Sequence, residues 1–192
     1  IREGDVKYKD INGDGKITAQ DVTDIGNPWP KLSGGFTNTF SYKDFELSTL
    51  ITGVYGNDVY NSIRQISLNP NNVNLSQNFL TEMSDYARLS GDEANPSLQN
   101  PGTLIPRITT SGVASDNNQS VVSSRFVEDG SYLRIKNITL SYNLPAKYLS
   151  YTKILKGVKV GLGVQNLATF TRYKGYDAEI GAYSGAGASG SN

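Results

Sequence analysis

The chain has 192 residues, of which 37% are hydrophobic and 19% charged, and its 18 Lys and Arg residues balance its 18 Asp and Glu residues. A neutral chain is a poor nucleic-acid binder, because neutralising phosphates supplies most of that affinity. Cys and His are both absent, which excludes a disulfide framework, a thiolate metal site and a Ser-His-Asp triad. No apolar run approaches the roughly 20 residues of a transmembrane helix. The 20 Gly and 12 Tyr favour strands and long loops over a helical bundle.

Residues 1–30 are acidic and turn-rich, and they contain the spacing of a twelve-residue calcium loop. Oxygen-bearing side chains stand at positions one, three, five, nine and twelve, and a glycine stands at position six, where such a loop turns sharply. Position twelve is Asp instead of the commoner Glu. We expect a structural calcium ion held by Asp10, Asn12, Asp14, the Lys16 carbonyl, Thr18 and Asp21. The alternative is an Asx-rich surface turn that binds no metal.

Residues 31–55 predict a β-hairpin, with strands over 33–42 and 45–55. In the first strand Phe36 and Phe40 share one parity, and Thr and Ser residues take the other, which is the period-two pattern of a strand. In the second strand the predicted apolar face carries Phe45, Leu47 and Ile51, although Leu50 and Val54 interrupt the alternation.

Residues 56–130 are polar and rich in Asn, Ser and Pro, which predicts a long loop. A short helix is expected within this loop from Ser76 to Leu89, with Ser76 as its N-cap. The paired carboxylates Asp92-Glu93 and Glu128-Asp129 are better explained as solvated loop charge than as a glycosidase pair. We therefore do not expect an enzyme.

Residues 131–170 predict a second β-hairpin, with strands over 131–144 and 157–170. Arg134 and Lys136 continue the apolar parity of the first strand, so this face is expected to be apolar at one end and charged at the other. The second strand alternates clearly between apolar residues and polar or small residues, and Asn166 is the one polar residue on its apolar side. Residues 171–192 read as a further loop.

Strands of about 10 to 14 residues, with one apolar face and one face of Gly, Thr, Ser, Gln and Asn, are typical of outer-membrane barrels. The fold class predicted is all-β, a transmembrane antiparallel β-barrel of which this chain holds about four strands with long outer loops. The predicted lipid-facing side chains are Phe36, Phe40, Ile138, Leu140, Val160, Leu162 and Val164. The alternative is a secreted, calcium-stabilised β-sandwich that binds carbohydrate.

Several ordered motifs resemble one known family. They are GDVKYKDINGDG at 4–15, IGNP at 25–28, GGFTNTFSYK at 34–43, YGNDVYN at 55–61, FVEDGSYLRIKN at 126–137, and QNL with FT and YKGYD between 165 and 177. Together they resemble the C-terminal part of the SusC/RagA type of TonB-dependent outer-membrane transporter of Bacteroidetes.

The resemblance implies a 22-stranded barrel with an N-terminal plug, located in the outer membrane of a Gram-negative bacterium. It implies import of oligosaccharides or oligopeptides, driven by TonB, together with a SusD-like lipoprotein that caps the barrel. Outer-membrane lipid is then a further partner, and nucleic acid is not. The implied topology places the turn at 42–44 and residues 145–156 in the periplasm. It makes 1–30, 56–130 and 171–192 extracellular loops and places the final strand beyond residue 192.

Overall fold

The computed structural model describes residues 2–69, 78–91, 96–108, 121–150 and 157–179. The chain divides into two compact units, the first formed by residues 1–26 and 60–127 and the second by residues 27–59 and 128–192. The strands are β1 Leu32–Tyr42, β2 Phe45–Tyr55, β3 Asp58–Tyr60, β4 Leu89–Ser90, β5 Ser97–Leu98, β6 Val127–Asp129, β7 Tyr132–Asn143 and β8 Lys159–Thr171. The helices are α1 Ser62–Ser67 and α2 Ala146–Leu149, and short 3-10 turns lie at Ala19–Asp21, Thr81–Asp85 and Ser124–Phe126.

The second unit is built on one antiparallel sheet in the order β1-β2-β7-β8. These are the four strands predicted from the sequence, and each has its ends within two residues of the predicted ones. A two-residue turn joins β1 to β2, and Lys43 in this turn adopts a left-handed φ of 51°. We call this end of the sheet the short-turn end. The opposite end, where β1 begins at Leu32 and β2 ends at Tyr55, is the long-loop end.

The strand register gives the sheet two chemically different faces. Phe40 lies opposite Leu47, Leu47 opposite Leu140, and Leu140 opposite Leu162, so apolar residues line up across all four strands. The intervening residues are mainly Ser, Thr, Gly, Asn and Gln. In β2, Leu50 and Val54 lie on this polar face, because the alternation of β2 is unbroken along its pairing with β1.

A β-bulge in β7 changes the predicted face of its charged residues. Leu50 lies opposite Asn137 while its neighbour Ile51 lies opposite Ile135, so Lys136 is an extra residue on β7. Such an insertion shifts the alternation by one position. Arg134 therefore lies on the polar face, where its Nε donates to Thr169 Oγ1 at 2.9 Å. The prediction that Arg134 and Lys136 extend the apolar face is wrong, and the apolar positions there are Leu133 and Ile135.

A second irregularity, in β8, lies opposite the bulge of β7, and the two strands pair regularly again beyond it. The pairing passes from Asn137–Gln165 to Ile135–Ala168, and Asn166 in the gap has a left-handed φ of 51°. Asn tolerates this conformation better than most residues. Asn166 borders the polar-face pocket lined by Arg134 and Thr169, so it does not interrupt the apolar face. Ala168 and Phe170 stay on the apolar face, as the sequence predicts.

The first unit has a small hydrophobic core where the sequence suggested only a loop. The core consists of Leu68, Met83, Ile105 and Phe126, and Tyr60, Phe79 and Tyr86 pack against it. The unpredicted helix α1 begins after Asn61, whose side chain accepts from the Arg64 backbone N–H at 2.9 Å. Scattered apolar residues in a polar sequence hid this core, because they have no regular period.

The helix predicted from Ser76 to Leu89 is not found over the part of it that the structure describes, and Ser76 itself lies outside that part. Only a 3-10 turn forms, over Thr81–Asp85. The chain then runs extended, because the Ala87 N–H donates to the Ile105 carbonyl at 2.9 Å. Among the described residues no helix has the length and apolar character needed to cross a membrane.

We expect Phe126→Ala to unfold the first unit locally. The Phe126 side chain is 1% exposed, and truncating a buried Phe to Ala costs about 3–5 kcal/mol. The measurement is the rate of protease cleavage within residues 60–127 at increasing urea. Leu104→Ala is the control, since Leu104 is 82% exposed. Equal cleavage rates for the two variants would contradict this assignment of the core.

Candidate functional site

The motifs of the second unit meet at the long-loop end of the sheet. Two hydrogen bonds join Asn27 and Asp58. The Asn27 N–H donates to Asp58 Oδ2 at 2.8 Å, and the Asp58 N–H donates to the Asn27 carbonyl at 2.8 Å. The Gly130 N–H donates to the Asn57 carbonyl at 2.8 Å. A Cβ at Gly130 would lie 2.5 Å from both Asn57 and Val59, so only glycine fits. The IGNP, YGND and EDG motifs therefore form one connected structure.

The two carboxylates considered as a glycosidase pair have structural partners. Glu128 Oε2 accepts from the Lys174 backbone N–H at 2.9 Å. Asp129 Oδ1 accepts from the Ser131 backbone N–H at 2.9 Å. Hydrogen bonds from the Ser131 side chain and backbone hold the pKa of Asp129 below its ordinary value, so it is ionised at neutral pH. Asp92 and Glu93 lie outside the described residues.

An ion cluster, which the sequence analysis did not predict, ties the segment after β8 to the polar face. Arg134 is only 6% exposed, and its guanidinium pairs with Asp177 and, at 2.6 Å, with Glu179. Lys136 reaches the same Glu179 carboxylate at 2.9 Å. Two carboxylates thus face two cations, as a buried guanidinium requires. The signal in the sequence was that Arg134 and Asp177 both lie in the motifs that resemble the family, FVEDGSYLRIKN and YKGYD.

The apolar face of the sheet is largely exposed. Among its large side chains Phe40 is 70% exposed, Leu162 79% and Phe36 62%. Aromatic residues cluster toward both ends, with Phe45 and Tyr142 in a tilted ring contact at a centroid distance of 4.6 Å at the short-turn end. Tyr55 and Phe170 lie at the long-loop end. A continuous exposed apolar surface of this kind marks an interaction surface.

The calcium-loop residues form a tight turn closed by side-chain acceptors. The Asp10 carboxylate accepts from the Gly13 and Gly15 backbone N–H groups at 2.7 and 2.8 Å. Both glycines have a φ of +78° with no heavy atom near their Cβ positions. The Asp14 N–H donates to Asn12 Oδ1 at 2.9 Å. This backbone shape, with a left-handed glycine at position six, is what a calcium loop needs.

Asp21 closes the loop from its far end. Its carboxylate accepts from the Thr18 N–H at 2.7 Å and the Ile11 N–H at 2.8 Å, and these bonds, that of Thr18 first, lower the pKa of Asp21. Across the described parts of the chain, no group of three or more Asp, Glu, His or Cys side chains is gathered so that it could hold a metal ion. The donor set has the hard oxygens that calcium prefers, but its carboxylates are turned toward backbone N–H groups.

Comparison with known proteins relates this chain to TonB-dependent receptors. The chain is 34% identical to TonB-dependent receptor P26 of Formosa agariphila over 176 residues, which are 92% of this chain and 16% of that receptor. It is 26% identical to TonB-dependent receptor SusC of Bacteroides thetaiotaomicron over 90% of this chain. No family model matches.

The solved structures agree in fold. The RagAB peptide importer in its closed-closed state superposes with a TM-score of 0.66 at 24% identity, covering 91% of this chain and 18% of that one. Its open-open state gives a TM-score of 0.66 at 25% identity over 86% of this chain. The resemblance to SusC/RagA-type TonB-dependent receptors is confirmed. The chain spans about one sixth of the length of the curated relatives that it matches, and its antiparallel sheet corresponds to part of such a barrel.

We expect Asp177→Asn to release the segment after β8 from the sheet. The Arg134 guanidinium lowers the pKa of Asp177, so the anchor is present above the ordinary Asp pKa of about 4 and is lost as pH falls through the lower folded-state value. Because the chain has no Cys, a spin label at Tyr176→Cys reports this motion uniquely within it.

The label is expected to gain mobility in Asp177→Asn at neutral pH and in the parent only under acid. Asp44→Asn, in the turn at the short-turn end, is the matched control. An Asp177→Asn spectrum that equals the parent spectrum at neutral pH would show that Glu179 alone holds the segment.

Proposed function

We propose that this chain is part of the wall of a TonB-dependent outer-membrane transporter that imports oligosaccharides or oligopeptides. The observation that carries this proposal is the two-faced sheet of the second unit. An apolar face that is exposed along four strands suits lipid, while a face of Ser, Thr, Gly and Gln suits a water-filled lumen. The curated relatives are TonB-dependent receptors, which supports a transport role over an enzymatic one.

The dimensions of the sheet support the same reading. Strand β1 has 11 residues, which rise about 36 Å, and a tilt of about 40° leaves about 28 Å across the membrane. The apolar band of outer-membrane barrels is about 25 Å tall and is flanked by aromatic girdles. The aromatic residues near both ends of the apolar face fit these girdles. A β-sandwich would instead cover this face with a second sheet, whereas Phe40 and Leu162 on it are 70% and 79% exposed.

The orientation follows from the connections. The short-turn end has a two-residue turn, whereas β2 and β7 are joined at the long-loop end by residues 56–131. Outer-membrane barrels have short periplasmic turns and long extracellular loops. The long-loop end therefore faces outward, and a SusD-like lipoprotein would cap the transporter on this side. TonB would act through parts of the protein outside this chain.

The test of the membrane role uses two neighbouring positions in β8 of the full-length transporter. Val164 lies on the apolar face opposite Ile138, and Gln165 lies opposite Asn137. Val164→Arg is expected to cost about 2–4 kcal/mol near the middle of the bilayer and to lower the amount of heat-modifiable protein in the outer-membrane fraction. Gln165→Arg is expected to assemble normally, because its side chain points into water.

Two results would count against this role. One is a wild-type protein that is recovered only from the secreted or soluble fraction. The other is equal assembly of Val164→Arg and Gln165→Arg. The accompanying functional assay is growth on oligosaccharides or peptides as the sole nutrient, which should require TonB and a co-purifying lipoprotein.

The calcium loop belongs to the same proposal. Calcium would be held by Asp10, Asn12, Asp14, the Lys16 carbonyl, Thr18 and Asp21, and would stiffen an extracellular loop. The loop backbone already has the required turn, and the carboxylates need only rotate, which exposed side chains do readily. An affinity in the extracellular range of about 10⁻⁴–10⁻³ M is expected.

We expect Asp10→Asn and Asp21→Asn each to weaken calcium binding about tenfold or more, because each removes a charged oxygen ligand. Isothermal titration of chelator-treated full-length protein measures this. Asp24→Asn is the matched control, since Asp24 is an exposed carboxylate three residues beyond the loop. Wild-type affinity in both loop variants, or no calcium uptake by the wild type, would leave an Asx turn without a metal.

A further inference from the structure

A pocket of about 390 Å³ lies within the first unit. Its wall joins segments that are far apart in the sequence. The Arg107 N–H donates to the Gly4 carbonyl at 2.9 Å, and the Ala87 N–H donates to the Ile105 carbonyl at 2.9 Å. Ile105 and Leu68, which belong to the hydrophobic core of this unit, line the pocket. The fold of the first unit therefore builds the pocket from its own residues, and the volume suits a small ligand.

The lining of this pocket is mainly apolar. Besides the two core residues it includes Val6, Ala87, Leu98 and Pro106. An aliphatic group that enters the pocket leaves water, which is the main favourable contribution to binding in apolar sites. The few polar groups of the lining then determine which aliphatic ligand fits.

Two guanidinium groups line the same pocket, those of Arg64 and Arg125. Arg64 belongs to α1, and Arg125 lies in the 3-10 turn Ser124–Phe126, where it donates to the neutral Leu104 carbonyl. Burial and, after it, the positive charge of Arg64 lower the pKa of Arg125. Two like charges in a partly desolvated place oppose each other, so an anion bound beside them would stabilise both.

The carboxylates at this pocket already have cationic partners. Asp5 lines the pocket with a side chain that is only 4% exposed, and its Oδ1 lies 2.7 Å from Arg107 Nε. Glu82 Oε2 lies 2.5 Å from Arg64 Nη2. Among these described side chains, the three guanidinium groups of Arg64, Arg107 and Arg125 face two carboxylates. The cluster therefore favours one further negative charge, which Asp5 does not repel because Arg107 neutralises it.

A carboxylate with an aliphatic substituent matches both parts of the pocket. A guanidinium group binds a carboxylate through two parallel, charge-assisted hydrogen bonds, and it carries five N–H donors, more than one acceptor can take. Inorganic phosphate would match the cations but would leave the apolar lining in contact with water. We propose that the pocket binds an aliphatic carboxylate ligand through Arg64 and Arg125, with its hydrocarbon part against Leu68 and Ile105.

Two sources can supply such a ligand, the C-terminal residue of a peptide and a free carboxylic acid. The relevance of the pocket to import rests on the proposed function, in which the connection over 56–131 faces outward and the imported nutrients include oligopeptides. The binding chemistry itself does not depend on that function, because residues of the first unit alone provide it.

The test compares ligands that differ in one feature. Full-length protein in detergent is titrated with N-acetyl-leucine and with N-acetyl-leucinamide, in which a neutral amide replaces the carboxylate, and binding is followed by ligand-observed NMR. The acid is expected to bind about tenfold or more tightly than the amide, because charge-assisted hydrogen bonds are much stronger than neutral ones. N-acetyl-glycine, which has no aliphatic side chain, is expected to bind more weakly than N-acetyl-leucine.

A second pair of ligands distinguishes the two sources. The tetrapeptide Ala-Ala-Ala-Leu and its C-terminal amide are titrated in the same way. Binding of the tetrapeptide acid, but not of its amide, identifies a peptide C-terminus as a source. Binding of N-acetyl-leucine without binding of the tetrapeptide identifies a free acid.

Variants connect the binding to this pocket. Arg125→Gln is expected to weaken the binding of N-acetyl-leucine about tenfold or more and to leave that of N-acetyl-leucinamide unchanged. Arg88→Gln is the matched control, because Arg88 is an exposed guanidinium of the first unit outside the pocket lining. Should Arg125→Gln fail to fold, Arg64→Lys is expected to weaken acid binding by a smaller factor, since it keeps the charge and loses the planar fork.

Two results would overturn the proposal. One is equal binding of N-acetyl-leucine and N-acetyl-leucinamide by the wild type. The other is wild-type affinity for the acid in both Arg125→Gln and Arg64→Lys. If the inference alone is wrong, the wild-type protein is still heat-modifiable and located in the outer membrane. If the transporter function is wrong, the protein is absent from that membrane fraction, whatever the pocket binds.

Discussion

The structure depends on the strict alternation of side chains between the two faces of a four-stranded sheet. Successive residues of a strand point to opposite faces, so one register error would move every side chain to the wrong environment. Here that alternation places exposed Phe, Leu and Val mainly on one face and Ser, Thr, Asn and Gln mainly on the other across the four strands. Such a sheet buries no hydrophobic core of its own, because its apolar face suits lipid and its polar face suits water.

The bulge at Lys136 follows from this constraint. Without the extra residue, Arg134 would stand on the apolar face, where a charge in contact with lipid is costly. With it, Arg134 lies on the polar face and pairs with Asp177 and Glu179. The irregularity thus places one cation beside the two carboxylates that pair with it and anchors the segment that follows β8. Bulges commonly redirect a side chain in this way, with the ladder disrupted only locally.

The sequence predicted the four long strands because period-two patterns depend on nearest neighbours alone. It could not predict which residue forms a bulge, since the shift at Lys136 depends on pairing with two other strands. The core of Leu68, Met83, Ile105 and Phe126 was missed for the same reason, as these residues are far apart in sequence and meet only through tertiary contacts. The spacing of the candidate calcium ligands could be recognised in the sequence, but the orientations of their side chains could not.

The family motifs at the long-loop end are explained better by geometry than by chemistry. Gly130 is fixed by the closeness of Asn57 and Val59, and Asp58 is fixed by its paired hydrogen bonds to Asn27. The hydrogen bonds of Asp58 and Gly130 satisfy backbone groups where the chain leaves the four-stranded sheet. The glycines of the calcium loop serve the same need, since the loop closes on its own N–H groups. A metal there would stiffen a turn that is closed by hydrogen bonds from backbone N–H groups to Asp10.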